Sequence, residues 1–193
     1  MSDIRVDPLN RLNVLHLEQV KTLGMKNTKT LGLFPPAAFD DYARRGGVLV
    51  AVAPNGNCVG YILFSTANDR ATIFHLCVDD GQRNKGLGRL LVDALATRTK
   101  HLRGLILKCR RDYDANKIWP RLGFHALNLT PGRRKAGSLL VTWWRSSGGL
   151  DLFSDTRKQL AEVKLPVVID ANIIFDFQGR KKHTNATSLT AAK

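Results

Sequence analysis

The sequence has few of the features that identify several other classes of protein. It contains only three cysteines in 193 residues, Cys58, Cys77 and Cys109. Their odd number, wide spacing and apolar neighbours exclude a disulfide framework and predict buried, reduced thiols in a cytosolic protein. No C-x-x-C pair indicates a metal site. No apolar run approaches the roughly 20 residues of a membrane span, and residues 1–6 lack the start of a signal peptide. We therefore expect a cytoplasmic protein without a membrane-embedded part or a bound metal.

Acidic residues are also scarce. The chain has 16 Asp and Glu against 30 Lys and Arg, a net charge of +14. Residues 1–150 carry +12 and residues 180–193 carry +4, whereas residues 151–179 carry −2. A basic surface commonly attracts a polyanion such as nucleic acid, and it also occurs as a solvated surface with no specific partner. Both interpretations stay open.

The most informative segment is residues 82–90, QRNKGLGRL. It follows a β-branched, apolar run at 71–78 that predicts a buried strand, and it leads into apolar residues at helical spacing from Leu87. Glycine lets a backbone approach a ligand closely. The first turn of a helix presents unpaired N–H groups and the positive end of the helix dipole. The segment therefore predicts a pyrophosphate site, to which Arg83, Lys85 and Arg89 add charge.

The spacing of the glycines in this segment excludes two well-known phosphate-binding motifs and leaves a third. Leu91 stands where the dinucleotide fingerprint has its third glycine, and the Lys-Ser/Thr pair of a Walker loop is missing. What remains is R-x-x-G-x-G, formed by Arg83, Gly86 and Gly88. This resembles the acyl-CoA pyrophosphate loop of the GCN5-related N-acetyltransferases, the GNAT family. An ordinary turn before a core helix is the alternative.

A second segment supports the resemblance. Residues 112–124, DYDANKIWPRLGF, look like the N-x-x-A-x-x-x-Y-x-x-x-G-F segment of the same family. Ala115, Gly123 and Phe124 match, whereas Asp112 occupies the asparagine place and Trp119 the tyrosine place. The resemblance covers residues 3–146. It implies an α/β (α+β) fold with a mixed, mostly antiparallel sheet flanked by helices, followed by a short C-terminal extension.

The element pattern agrees with that order, β-α-α-β-β-β-α-β-α-β-β. A short strand is predicted at 4–6, and a helix from Asp7-Pro8 to about Leu23, because proline is favourable in the first turn. Residues 24–33 are predicted to be a loop. A second helix is predicted from Pro35-Pro36 to Arg45, and a short helix at 116–122.

The chain divides into a transferase-like domain at 1–146, a linker or helix at 147–164, and a fragment at 165–193. Residues 165–176, LPVVIDANIIFD, resemble the first strand and first acidic residue of PIN-domain nucleases. Those enzymes gather several carboxylates around Mg²⁺ or Mn²⁺ from a much longer domain, and Asp170 and Asp176 do not supply that set. A peripheral strand with a polar tail and a truncated transferase–nuclease fusion are the two interpretations.

The resemblance implies acetyl-CoA as co-substrate. It places the pantetheine arm on backbone groups of Leu76, Cys77 and Val78, where one N–H would polarise the thioester carbonyl. Asn116 is expected to hydrogen-bond the pantetheine or phosphate region. The pyrophosphate is expected on the amides and cations of the loop, namely Arg83, Asn84, Lys85, Gly86, Leu87, Gly88 and Arg89.

Three residues are candidates for acid–base catalysis. Trp119 has the tyrosine place, but an indole N–H is a donor without useful acidity, so it would stabilise a thiolate without protonating it. Tyr113 is the alternative acid. His75, on the strand at 71–78, is either a base that titrates near neutral pH or a structural histidine.

Three functions follow from these residues. The first is N-acetyl transfer to an amine that the sequence does not identify. The second is the same transfer to a nucleic-acid-associated acceptor such as aminoacyl-tRNA, as in toxin-like members of the family. The third is a non-catalytic acyl-CoA-binding or nucleic-acid-binding module. The sequence leaves a homodimer open.

Overall fold

The structure is a computed structural model that describes residues 4–10, 12–132 and 138–147. The predicted linker, apart from Ser147, and the predicted nuclease-like fragment at 165–193 lie outside the described residues. The helices and strands of the described part are, in chain order, β1 (Arg5–Pro8), α1 (Val14–Lys26), α2 (Thr28–Leu31), α3 (Pro36–Arg44), β2 (Val48–Val52), β3 (Cys58–Ala67), β4 (Arg70–Val78), α4 (Leu87–Arg98), β5 (Gly104–Arg110), β6 (His125–Pro131) and β7 (Leu139–Ser146).

The strands form one sheet in the order β1-β2-β3-β4-β5-β7-β6. Every neighbouring pair is antiparallel except β4 and β5. Those two are parallel because α4 runs back along the sheet, so that β5 begins at the same end of the sheet as β4. The predicted mixed, mostly antiparallel sheet with flanking helices is therefore confirmed.

Both faces of the central strands are buried, which explains the continuous apolar sequence of β2. Leu49 and Ala51 pack with α4 on one face, whereas Val48, Val50 and Val52 pack with α1 and α3 on the other. Each face thus has its own apolar core, and the sheet separates the two.

The first helix begins later than the sequence suggests. Pro8 pairs with Leu49 in the edge strand β1, a position where a missing N–H is tolerated. The helix instead begins after Asn13, whose side chain accepts a hydrogen bond from the His16 N–H at 3.2 Å. The prediction of a helix start at Asp7-Pro8 was wrong because the capping signal at Asn13 was overlooked.

The loop predicted at 24–33 was also wrong in part. Helix α1 continues through Gly24 to Lys26, and α2 follows after the single residue Asn27. Gly24 stays helical because it lies where α1 crosses the sheet. A Cβ there would be 2.7 Å from Phe39 Cζ and 2.8 Å from Tyr61 Oη.

The short helix predicted at 116–122 is two 3-10 turns, Asp114–Lys117 and Pro120–Leu122. Pro120 has no N–H to donate to the preceding turn, so the first turn does not continue into the second as a regular helix. Gly123 then ends the segment in the left-handed region, at φ 85°.

A β-bulge in β4 shifts the alternation of its side chains, so that residues after the bulge lie on the opposite face of the sheet from the one that regular alternation predicts. Leu63 pairs with His75, but the next residue of β3 pairs with Ile73, which leaves Phe74 as the extra residue. Before the bulge, Ile73 faces the α4 core; after it, Leu76 packs on that core and Cys77 faces the opposite one. One inserted residue therefore decides on which face each later side chain lies.

Candidate functional site

Strands β4 and β5 separate after a short stretch of pairing. They pair only at Ala71, Thr72 and Ile73, while β4 remains paired with β3 as far as Val78. Bulges bend a strand and increase its twist, and Phe74 lies directly after the last paired residue. Beyond Ile73 the edge of β4 that faces β5 is not paired with it, which leaves a gap between the two strands.

The backbone of β4 presents hydrogen-bonding groups to this gap. The Asp79 N–H donates to the Val59 carbonyl of β3 at 2.9 Å. Because antiparallel pairs alternate, the groups of Cys77 also bond to β3, whereas those of Leu76 and Val78 point toward β5. Of the three predicted residues, Leu76 and Val78 therefore direct main-chain groups away from β3, although the Val78 carbonyl accepts a hydrogen bond from Arg83 Nε at 3.4 Å.

The loop at the wide end of the gap opens directly into α4. Gly86, at φ 81°, is the residue before the helix, and no side chain caps the first turn. A Cβ on Gly88 would come no closer than 4.0 Å to Leu76. Packing therefore does not require glycine at position 88, whereas close approach of a ligand to the backbone does. An uncapped helix start beside this open surface fits a pyrophosphate.

The three predicted cations of the loop are exposed and already hydrogen-bonded. Arg83 bonds to Asp80 at 2.7 Å and to the Asn27 side chain at 3.0 Å. Lys85 donates to the Gly81 carbonyl at 2.9 Å, and Arg89 donates to the Arg121 carbonyl. Each partner is a carbonyl oxygen, an amide oxygen or a carboxylate, so binding of phosphate by these cations stays a prediction that requires a spare N–H donor or an exchange of partner.

His75 lies in the core between the sheet and the helices α1 and α3. It is 4% exposed, and its Nδ1 is 3.1 Å from the Tyr61 hydroxyl. Phe34 and Phe39 contact the ring from the helical side. Burial lowers the pKa of His75 to about 4. Of the two interpretations of His75, this pKa favours the structural histidine over a base that titrates near neutral pH, because the low-dielectric core disfavours the imidazolium.

The cysteines are free, and burial keeps them unreactive. Burial raises the pKa of Cys77 to about 12 and that of Cys58 to about 11. Burial also raises the pKa of the Cys109 thiol, an effect that the nearby Trp119 indole opposes. Since thiolates are the reactive form, none of the three is a nucleophile at neutral pH.

Trp119 and Tyr113 occupy different environments. Trp119 is 8% exposed and packs edge-on against Phe124, with ring centroids 5.5 Å apart. Its Nε1 lies near Cys109 but makes no hydrogen bond within the described residues. Tyr113 is half-buried just past the end of β5, and its hydroxyl donates to the Lys29 carbonyl of α2 at 3.4 Å. Tyr113 therefore connects β5 with the helical segment that follows α1, across the open end of the gap.

The Asn116 side chain holds the loop that follows β5. Its Nδ2 donates to the carbonyls of Arg110 at 2.5 Å and Tyr113 at 2.9 Å, and its Oδ1 accepts from the Trp143 indole at 3.0 Å. Both the nitrogen and the oxygen of the Asn116 amide are therefore hydrogen-bonded. Its predicted contact with the co-substrate stays a prediction.

Sequence reasoning missed two residues of this region. Asn27 links α1, α2 and Arg83, and it belongs to no motif, so no signal pointed to it. Tyr61 bonds to His75, and strand alternation in β3 was the signal that places it on the face of α1 and α3.

The gap between β4 and β5 and the uncapped helix start are the arrangement expected of a protein that binds a long, pyrophosphate-bearing ligand. Residues 21–143 match the profile of the acetyltransferase (GNAT) domain, and the chain belongs to this family. It is accordingly an acyl-CoA-dependent N-acetyltransferase with acetyl-CoA as co-substrate. No curated protein matches the sequence significantly.

Solved structures share the fold at low sequence identity. Ard1 from Thermoplasma volcanium is 22% identical, with a TM-score of 0.64 over 74% of this chain and 97% of that one. The ribosomal-protein-S18-alanine N-acetyltransferase from Escherichia coli is 16% identical, with a TM-score of 0.61 over 77% and 97%. The NatC complex bound to Gag peptide and CoA gives 16% identity and a TM-score of 0.62 over 76% and 99%. These likenesses establish the fold alone.

Among the described residues, no helix is both long and apolar enough to cross a membrane.

Proposed function

We propose that this enzyme transfers the acetyl group of acetyl-CoA to a primary amine, with the pantetheine arm in the gap between β4 and β5. The observation that carries this proposal is the gap itself. Pairing of β4 with β5 stops at Ile73, and the unpaired edge of β4 leads to the uncapped start of α4 at Gly86. An extended arm with amide groups and a terminal pyrophosphate is the ligand shape that such a site accepts.

Acetyl-CoA supplies an acyl group activated as a thioester. The N–H groups of Leu76 and Val78 are the donors available to amide and thioester carbonyls of a ligand in the gap. The amides at the start of α4 hold the phosphates, together with Arg83, Lys85 and Arg89 once these cations exchange their present partners. The backbone of the chain thus does most of the binding, and the side chains supply charge.

Tyr113 is the better candidate for the general acid. Tyr113 follows the end of β5 and its hydroxyl donates to the Lys29 carbonyl. A phenol carries an exchangeable proton, whereas the Trp119 indole is buried in the core and has no useful acidity. For His75 we favour a structural role. The ring is neutral and bonded to Tyr61. To act as a base through water, it would need a water molecule that passes through the aromatic side chains around the ring.

The binding site is tested by adding a side chain at Gly88. In Gly88→Leu the new side chain extends from the first turn of α4 into the space assigned to the pyrophosphate. We expect acetyl-CoA binding, measured by calorimetry, to weaken by at least about tenfold, which corresponds to about 1.4 kcal/mol. The matched control is Thr97→Leu, which adds the same side chain at an exposed position of the same helix. Unchanged binding in Gly88→Leu would show that the loop does not hold the phosphates.

A second candidate is a non-catalytic acyl-CoA-binding module. The observation that favours it is the burial of Trp119 in the place where the family often has a tyrosine. The discriminating assay follows release of the CoA thiol from acetyl-CoA over a panel of amines. Turnover with any amine excludes the module, whereas tight acetyl-CoA binding without turnover across the panel supports it.

The panel includes two acceptor classes. Peptide α-amines belong in it because two neighbours of the same fold are named for a ribosomal-protein alanine and a bound Gag peptide. Aminoacyl-tRNA belongs in it because the chain carries a net charge of +14, which favours a polyanionic acceptor. Acetylation of charged tRNA but not of free amino acids would identify the nucleic-acid-associated acceptor.

A further inference from the structure

A cleft lies at the end of the molecule opposite to the Gly86 loop. It has a volume of about 730 Å³ and is lined in part by Arg45, Ser65, Thr66, Arg98 and His101. Helix α4 has 12 residues and is therefore about 18 Å long at 1.5 Å per residue. Because Arg98 ends this helix and Leu87 begins it, the cleft and the co-substrate loop are separated by its full length.

The cleft exists because β3 is longer than its neighbour. Strand β2 begins at Val48, and the Phe64 N–H still reaches the Gly47 carbonyl at 2.8 Å. By alternation, the Thr66 N–H points to the same side as that of Phe64, but β2 does not extend far enough to pair with Thr66. This backbone donor and the Ser65 and Thr66 hydroxyls border a space that α3 and α4 flank.

Unpaired cations lie at the same end as this cleft. Arg70, Arg98, Lys100 and Arg103 are exposed and make no ion pair within the described part of the chain. Arg98 lines the cleft, and Lys100 directly precedes the lining residue His101. Arg70 pairs with Ala67, the residue after Thr66, and the Arg103 N–H donates to the Asp69 carbonyl at 2.8 Å, so the backbone of these two residues lies close to the cleft.

Among the described residues, two carboxylates lie in the same region and do not cancel this charge. Arg44 and Arg45 both bind Asp41, at 2.9 and 2.6 Å. Asp69 is the other. Within the described part of the chain, six Lys and Arg residues are therefore found with two carboxylates at this end.

The helix dipoles explain only some of these cations. Helices α3 and α4 both end here, and a cation near a helix C-terminus gains about 0.3–1 kcal/mol. That accounts for Arg44, Arg45 and Arg98. It does not account for Arg70, Lys100 and Arg103, which lie outside both helices.

We propose that the cleft and its four unpaired cations bind the phosphate backbone of a nucleic acid. The cations supply the charge, and the Thr66 N–H with the neighbouring hydroxyls supplies the neutral donors that commonly contact phosphate oxygens. The surface is separate from the acetyl-CoA site, so this inference does not rest on the proposed transfer reaction.

The test measures binding of the full chain to a fluorescein-labelled DNA duplex of mixed sequence, and to RNA of the same sequence, at salt concentrations between about 50 and 200 mM. Four phosphate contacts predict a slope of log K against log salt of about −3 to −4 for the DNA duplex. The double variant Arg98→Gln/Arg103→Gln is expected to make that slope less negative by about 2. The matched control is Lys108→Gln/Arg111→Gln, which removes the same charge from two other exposed, unpaired cations and is expected to change the slope by less than about 0.5.

Each remaining outcome overturns the proposal in a defined way. An unchanged slope in the first double variant, or equal changes in both, would show that binding is not located at the cleft. Binding of poly-glutamate as tight as that of the duplex would show that the cleft binds polyanions in general and not nucleic acid in particular. Displacement of the duplex by millimolar inorganic phosphate would assign the cleft to a small phosphate ligand. Thermal unfolding of both double variants verifies that they are folded, since all four substituted side chains are exposed.

Discussion

The buried imidazole of His75 affects stability in a direction opposite to that of a salt-bridged histidine. Its pKa in the folded protein is about 4, whereas an unfolded chain has a value of about 6.5. Between those two pH values the unfolded state binds a proton that the folded state does not. The contribution of neutral His75 is therefore fully present above pH 6.5 and is lost as the pH falls toward 4.

We expect His75 to lower the free energy of unfolding by about 2 kcal/mol between pH 7 and pH 5. Urea unfolding at the two pH values measures this loss. In His75→Gln, which retains a hydrogen-bonding side chain toward Tyr61 but cannot titrate, the pH dependence should be weaker by that amount. His125→Gln, at an exposed position, is the control and should retain the full dependence. The same loss in His75→Gln as in the wild type would mean that the imidazole is not buried.

Tyr113 and Trp119 can be separated by their kinetic effects. Tyr113→Phe removes the hydroxyl at the open end of the gap, and general acid catalysis typically contributes about 10²- to 10⁴-fold, so kcat should fall within that range. Trp119→Phe should leave kcat near the wild-type value but lower the free energy of unfolding by about 1–3 kcal/mol, because it shrinks a buried ring that packs on Phe124. Steady-state kinetics and urea unfolding of both variants test this. A large loss of kcat in Trp119→Phe alone would assign the chemistry to the indole.

Helix α1 is positioned by a glycine that has no room for a side chain. A Cβ at Gly24 would lie 2.7 Å from Phe39 Cζ, so either the helix or the buried Phe39 and Tyr61 side chains would have to shift. Helix α4 also contains a glycine, but a Cβ at Gly88 would lie 4.0 Å from Leu76. The two positions share a helical conformation and differ in the space around them.

We expect Gly24→Ala to lower the free energy of unfolding by about 1–3 kcal/mol through overpacking, despite the higher helix propensity of alanine. Gly88→Ala should leave that free energy unchanged or raise it by up to about 1 kcal/mol. Chemical denaturation of both variants gives the comparison. Stabilisation by Gly24→Ala would contradict the close crossing of α1 over Phe39 and Tyr61.

The bulge in β4 shows how one element sets the geometry of the site. A regular strand would have kept alternating from Ile73 and would have placed His75 and Cys77 toward α4. With Phe74 inserted, Leu76 and Val78 face α4 instead, and the strand bends where β5 leaves it. The gap between β4 and β5, where we propose that the pantetheine arm binds, and the burial of His75 therefore have one structural origin.

At the scale of the whole molecule, the net charge of +14 works against the compact state. Each ion pair in the described residues has at least one partner that is more than a third exposed, and exposed pairs contribute little. Screening should therefore remove more repulsion than attraction.

We expect the free energy of unfolding to rise when NaCl increases from about 20 to 200 mM, over which the Debye length falls from about 20 to about 7 Å. Urea unfolding at each concentration measures the change, and KCl serves as the control for a specific ion effect. A decrease with salt would show that the exposed pairs outweigh the excess positive charge.

The sequence predicted much of the architecture because its signals were local. Alternating apolar runs, the glycines at 86 and 88 and the segment ending at Gly123-Phe124 predicted the strands, the sheet class and the co-substrate, whereas the residues that bind the co-substrate stay a prediction. The helix start at Asn13 and the continuation of α1 past Gly24 were missed, since the first depends on one capping residue and the second on contacts with Phe39 and Tyr61.

The sequence by itself determined the family, because its glycine loop and its second motif are short, contiguous and in the right order. Only the tertiary structure decided the roles of the charged and aromatic residues. The bulge at Phe74 turned His75 into the core, Trp119 is buried against Phe124, and the Arg103 N–H bonds to the carbonyl of Asp69, the residue before Arg70. These outcomes depend on pairing and contacts between residues distant in the chain, which a local pattern does not contain. The loop that opens α4 therefore indicates what is bound, while the folded sheet determines which side chains can reach it.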